Sequence, residues 1–289
     1  MFEWLRRLFG GTAKSAQPAA WVRRPMAMPQ PGEDASVWTR RIIAPSGVDA
    51  RRPAIDRDTN RRLLGSFDRL DFPILVFDTE TTGVMDDDRV VSFGAVMLNS
   101  MQQKPDGSRN MNFAPTHFVF NPGRSSHPMA QKVHGHTDHE LSFQEPFAAR
   151  AAEIAELFER ARLVVCHNVA FDLKFIEREM RLAGVGMRGR ETFCTMRAAQ
   201  RDPAMPNGKL DDLARLIGMP RAGAHHGALE DAWITMHVFF RLKVGPGIAP
   251  TPFSALPNPG FENYRAVTPP ESAPTLVAKR RRTKKAPDA

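Results

Sequence analysis

Cysteine is nearly absent: Cys166 and Cys194 are the two in 289 residues. That excludes a disulfide framework and a cysteine-built zinc site, and both read as small buried residues. No run of eighteen apolar residues occurs, so no membrane-spanning helix is expected. Arg6 and Arg7 stand where a secretory signal needs its apolar stretch, and the expectation is a cytoplasmic protein. No internal repeat is evident. What is present is ordinary for a globular chain, 42% hydrophobic and 25% charged residues, enough for one large domain.

A net charge of +8 invites a nucleic-acid reading, but its distribution is uneven. Residues 1–70 hold 13 Lys/Arg against 7 Asp/Glu, residues 71–243 hold 20 against 22, and residues 244–289 hold 7 against 3. The basic excess therefore lies on the flanks. Nine of 24 prolines fall in the last 46 residues, which argues against sustained regular structure there. The chain divides into a basic, mostly irregular extension (1–70), a domain (71–243) and a Pro-rich basic tail (244–289), with both arms expected to be largely disordered. The run Lys279 to Lys285 can meet phosphates or remain a solvated tail. Within residues 1–9, Phe2, Trp4, Leu5, Leu8 and Phe9 can form a short amphipathic helix for a membrane surface or a partner.

In the middle, Ile74 to Phe77, Val90 to Leu98 and Thr116 to Phe120 read as three successive strands, and Leu163 to Cys166 as a fourth. Helices are expected over Glu145 to Arg162, Phe171 to Ala183, Leu210 to Ile217 and Leu229 to Leu242, with a strand-to-helix passage around Phe193 to Ala199. Strands first, then strands alternating with helices, give an α/β fold: a mixed sheet flanked by helices.

Three strings carry chemistry. In FDTETTG (77–83), Asp78 and Glu80 are two apart on a strand, so both carboxylates leave one face. A divalent cation such as Mg²⁺ or Mn²⁺ explains two anions forced together; solvated acids at a strand end are the alternative. In HNVAFD (167–172), Asn168 can cap a helix, and Asp172 lies in its first turn, as a third acid or as a simple dipole partner. In HHGALEDAWIT (225–235), Asp231 joins Ala228, Ala232, Thr235 and Val238 on a core-facing stripe, while Glu230 with Trp233, Ile234 and His237 reads as peripheral. An inward Asp needs a partner, and a metal shared with the other acids would supply one. His226, with His225 as runner-up, can reach the same pocket, although a solvent-facing histidine is the ordinary reading of either. Four carboxylates and a loop histidine are what a two-metal phosphodiester hydrolase requires.

Taken in order, these strings resemble the three motifs of the DEDDh exonucleases, the family that includes proofreading subunits, ribonuclease T and oligoribonuclease. The resemblance spans residues 73 to about 243. It implies a ribonuclease H-like fold, Asp78, Glu80, Asp172 and Asp231 as metal ligands, His226 as general base and two Mg²⁺ or Mn²⁺ as cofactors. The implied reaction is hydrolysis from a single-stranded or frayed 3′ end, releasing 5′-mononucleotides. DNA is the favoured substrate, in proofreading or repair, with a polymerase catalytic subunit as a candidate partner; RNA 3′-end trimming is the enzymatic alternative. A catalytically silent scaffold is the third reading, and the complete acid set speaks against it. VHGHTDHEL (133–141) is similar to the family segment that lies against the terminal nucleotide, with His134 and Gly135 matching and His136 where the family has an aliphatic residue. Thr79, Thr81, Gly83, His134, Asn168 and Phe171 are the candidate substrate contacts. Ser92 stands where relatives of the proofreading subunit carry Glu, Cys194-Thr195 stands where many have Asp-Thr, and no glutamine-led clamp-binding string follows residue 243. His127, His134, His136 and His139 are close in sequence, but not in a standard zinc spacing.

Overall fold

The computed structural model describes residues 70–103, 109–221, 223–245, 249–256 and 259–267. The expected extension up to residue 69, the amphipathic stretch within residues 1–9 and the basic run Lys279 to Lys285 lie outside the described residues. Among the described residues no helix is long and apolar enough to cross a membrane.

Among the described residues, five strands form one mixed sheet in the order β3-β2-β1-β4-β5. The strands β1 (Ile74–Thr81), β2 (Val90–Gln103) and β3 (Arg109–Val119) make an antiparallel meander. β4 (Leu163–Cys166) and β5 (Glu191–Cys194) add in parallel on the other side of β1. Parallel pairing needs a crossover, and the helices supply it. α3 (Ala151–Arg160) precedes β4, and α4 (Val169–Ala183) connects β4 to β5. α5 (Thr195–Ala199), α6 (Leu210–Leu216) and α7 (Ala228–Val244) complete the second layer. Two short helices, α1 (Pro128–His134) and α2 (Asp138–Ser142), lie between β3 and α3; five to seven residues with no apolar period left no signal in the sequence. The expected helix from Glu145 begins only at Ala151, after a 3₁₀ turn at Phe147–Ala149.

Alternation along β1 divides the core. Leu75 and Phe77 face α3 and α4 with Phe93, Phe158, Phe175 and Ile176. Ile74 and Val76 face α7 with Val96, Trp233, Met236 and Phe239. One face of β1 thus carries aliphatic residues first and then Asp78 and Glu80 as the strand runs out of the core.

Two expectations are corrected here. The face of α7 bearing Glu230, Trp233, Ile234 and His237 is not peripheral: these residues are 9%, 1%, 2% and 3% exposed. α7 is covered on more than one side, since Ile234 and Val238 pack with α6, while Trp233 meets Phe113 edge-on and donates its indole N–H to the Thr251 carbonyl at 2.8 Å. A single-stripe reading fails for a helix sandwiched between layers. The second correction concerns the tail, which the sequence reading starts at residue 244. α7 includes Val244, and residues 259–267 return to β3, where Asn263 accepts from the Val119 amide at 2.9 Å and donates to its carbonyl at 2.7 Å. Proline-rich chain can lie along a sheet edge without forming a strand of its own.

Candidate active site

β1 delivers Asp78 and Glu80, 3% and 8% exposed, to the end of the sheet where β4 passes into α4. Asp172, in the first turn of α4, is 1% exposed and is held by three donors. The Thr79 amide and hydroxyl reach Oδ1 at 3.0 and 2.7 Å, and the Cys166 thiol reaches Oδ2 at 3.1 Å. Asp231, in the first turn of α7, is 1% exposed; His226, in the preceding loop, brings Nδ1 to 3.2 Å from Asp231 Oδ2. Among the described residues there are two sets that could each hold a metal ion, Asp78, Cys166 and Asp172, and Glu80, His226 and Asp231, the ligand atoms inside each set lying within 4.8 Å of one another.

The approach of α7 depends on a glycine. Gly94 on β2 pairs with Asp78 across the ladder, and a Cβ at Gly94 would overlap the backbone at Ala228 and Leu229. Without that Cβ, the helix start settles onto the sheet and Asp231 meets β1. The histidine loop is fixed from the opposite side: the His226 amide donates to the Val133 carbonyl at 2.8 Å, and Gly135, at φ 78°, turns α1 away beneath the His225 ring.

Burial dominates the electrostatics. It pushes Asp78 well above the usual carboxylate range, helped by the negative charges of Asp172 and Glu80. Burial carries Glu80 to about 8, opposed by Arg221, and Asp172 to about 6, opposed by the bonds from Cys166 and Thr79. His226 falls to about 4 through burial and the neighbouring Arg221 charge. Crowding of the carboxylates thus disfavours their charged forms, and the Arg221 charge opposes this at Asp78 and Glu80. Arg221 hydrogen-bonds Asp231 and reaches Asp211 at 3.0 Å.

Residues 75–239 match the family model described as Exonuclease. The chain belongs to this exonuclease family. Similar proteins include the DNA polymerase III subunit epsilon of Escherichia coli K12, 30% identical over 182 residues, which span 59% of this chain and 71% of the relative. The same subunit of Rickettsia conorii is 29% identical, spanning 59% and 74%. Among solved structures, an E. coli exonuclease I complex with single-stranded DNA aligns with a TM-score of 0.48 and 20% identity, covering 60% of this chain and 40% of that one. The protein is a 3′-to-5′ exonuclease of the DEDD type, with the mixed sheet and flanking helices expected of that fold.

Within this exonuclease the five residues read from the three motifs come together, while the expected substrate contacts fare differently. Both donors of Thr79 are committed to Asp172 instead of facing outward. The Thr81 hydroxyl donates to the Gly83 carbonyl at 2.6 Å, so both residues serve a turn. Asn168 stands at the α4 N-cap but makes no side-chain capping bond, contrary to expectation, because its backbone (φ −134°, ψ 68°) lies outside the extended region typical of caps; its buried Nδ2 has no partner among the described residues. Phe171 is 5% exposed and packs on Phe175. His134 is 3% exposed; Nδ1 accepts from the His136 amide at 3.1 Å, and Nε2 has no partner among the described residues. The four clustered histidines do not converge: His127 caps α1, His139 packs on Phe143, and His134 stacks on His136.

Sequence reasoning missed Arg221, Gly94 and the contact of Cys166 with Asp172. Gly94 had a signal, a glycine inside the strand-like run VVSFGAV. Arg221 had none, since no motif spacing connects it to the acids.

Proposed function

We propose that this exonuclease removes nucleotides one at a time from the single-stranded or frayed 3′ end of DNA, releasing 5′-mononucleotides, in proofreading or repair. The observation that carries the reading is the convergence of four buried carboxylates beside a neutral imidazole.

The donor set suits hard divalent cations. Asp78, Glu80, Asp172 and Asp231 offer carboxylate oxygens whose mutual repulsion a cation relieves, and they are the proposed metal ligands. Two Mg²⁺ or Mn²⁺ ions, when bound, would polarise the scissile phosphate and stabilise the attacking and leaving oxygens. His226 is the proposed general base. With Nδ1–H donating to Asp231 Oδ2, its Nε2 keeps a lone pair. A pKa of about 4 leaves the ring neutral at pH 7, and 22% side-chain exposure leaves it open to water. Thr79 and Cys166 orient Asp172.

The epsilon relatives support DNA as substrate and a polymerase catalytic subunit as partner. Matched 3′-labelled and 5′-labelled single-stranded DNA and RNA, digested with Mg²⁺, Mn²⁺ or EDTA, test the reading. Stepwise shortening of DNA from the 3′ end, abolished by EDTA, is expected. Faster digestion of RNA would replace the DNA assignment with RNA trimming, and no cleavage of either would refute the enzymatic reading.

A further inference from the structure

Arg221 stands between α6 and α7, and its three guanidinium nitrogens divide between two carboxylates. Nε and Nη2 both donate to Asp211 Oδ1, at 3.1 and 3.0 Å, and Nη1 donates to Asp231 Oδ1. The two acids differ in surroundings. Asp211, in the first turn of α6, has a side chain 46% exposed, whereas that of Asp231 is 2% exposed. The Arg221 side chain is itself 10% exposed, and its charge also acts on Asp78 and Glu80. One guanidinium thus links an outer acid to an inner one that belongs to the site.

Both oxygens of Asp231 are taken. Oδ1 holds Arg221 Nη1, and Oδ2 lies 3.2 Å from Nδ1 of His226. Asp231 is also one of the three residues, with Glu80 and His226, whose ligand atoms gather closely enough for a divalent cation. A cation that takes an oxygen of Asp231 must displace one of these two contacts. The bond to His226 keeps the ring in the tautomer whose Nε2 has a lone pair, so Oδ1 is the oxygen that can change partners. Asp211 then still holds Nε and Nη2, and Nη1 is left as a charged donor in need of an acceptor. Phosphate is the acceptor that a nucleic-acid strand brings to this place, and the planar fork of arginine suits its oxygens better than the point charge of lysine.

We propose that Arg221 is a substrate-binding residue whose Nη1 turns from Asp231 to an oxygen of the scissile phosphate, the group that leaves as the 5′-phosphate of the mononucleotide; the assignment rests on the nuclease reading and deepens it. A cluster of carboxylates repels a phosphodiester unless positive charge accompanies it. Arg221 supplies a part of that charge from the chain itself. Its bonds to Asp211 keep the guanidinium beside the pocket while Nη1 changes partner, so the move is a short rotation about a held group.

The test is calorimetric titration of the full-length protein, in saturating Mg²⁺, with thymidine 5′-monophosphate, which carries that phosphate, and with thymidine, which lacks it. Wild type is expected to prefer the monophosphate. Arg221→Gln removes the charge and is expected to weaken monophosphate binding by about tenfold or more, the worth of a charged hydrogen bond, while thymidine binding stays unchanged. Arg221→Met, whose apolar chain fills similar space, is titrated beside it so that the result does not hang on one variant folding. Arg215→Gln removes the same charge from a side chain 67% exposed and paired with Asp212, and should alter neither affinity. Monophosphate affinity unchanged in the Arg221 variants overturns the assignment. Equal losses for both ligands also overturn it, because Arg221 would then shape the pocket and not hold phosphate. An equal loss in Arg215→Gln does so by making the effect one of general charge, and so does a wild type without preference for the monophosphate. Failure of the nuclease reading is seen separately, as a wild type that shortens neither labelled DNA nor labelled RNA.

Discussion

The start of α7 rests directly on Gly94, whose missing side chain makes room for the backbone of Leu229. Position 94 lies opposite Asp78, so the same contact that seats the helix sets the separation between Asp78 and Asp231. Gly94→Ala is expected to push α7 off the sheet, costing about 1–3 kcal/mol as overpacking does. Cleavage should fall by more than tenfold, since a displaced ligand is costly. Thermal melts beside the nuclease assay check this; a variant as active as wild type would show that the helix can move without consequence.

Removing members of the cluster separates chemistry from folding. Asp78→Ala and Asp231→Ala are expected to nearly abolish cleavage, and His226→Ala to reduce it by about 10²–10⁴. Circular dichroism should show the fold retained. Undiminished cleavage by Asp78→Ala or His226→Ala would refute the assignment.

The sign of the pH dependence follows from the raised carboxylates. Glu80 titrates near 4.5 in the unfolded chain and near 8 in the metal-free fold, so between those values the native state holds the extra proton. Its contribution to stability is therefore present at low pH and is lost as pH rises from about 4.5 to about 8. Glu80→Gln is expected to raise the melting temperature in EDTA at pH 8 relative to wild type, while lowering activity. An equal or lower value would show that burial and repulsion at Glu80 are relieved by something else.

The same protons compete with cations. Apparent Mg²⁺ affinity, followed by calorimetry, is expected to rise with pH up to about 8 and to release protons on binding. A flat affinity between pH 6 and 8 would contradict this.

Arg221 pairs with both Asp231 and Asp211. Arg221→Ala should destabilise the protein in EDTA by about 3–5 kcal/mol, the cost of breaking a buried pair, reduced by whatever water enters. Saturating Mg²⁺ should remove most of that deficit. A deficit of the same size with and without Mg²⁺ would make Arg221 a structural anchor independent of the metal.

Much of the site was legible because short periods encode direction. The two-residue spacing of Asp78 and Glu80 sent both to one face, and the helical stripe through Ala228, Ala232 and Thr235 turned Asp231 inward, where it is 1% exposed. The same stripe logic misassigned Glu230 and Trp233, because a helix covered on several sides has no free face for the pattern to mark.

By itself, then, the sequence determined the order of the strands and longer helices, the mixed sheet and the inward direction of the acids, features with a strong local period. Tertiary structure decided the rest. Thr79 meets Asp172 across 93 positions, and Asn263 pairs with Val119 across 144. Contacts at such separation are set by which surfaces remain uncovered after the layers pack, a property of the assembled sheet that no local spacing records.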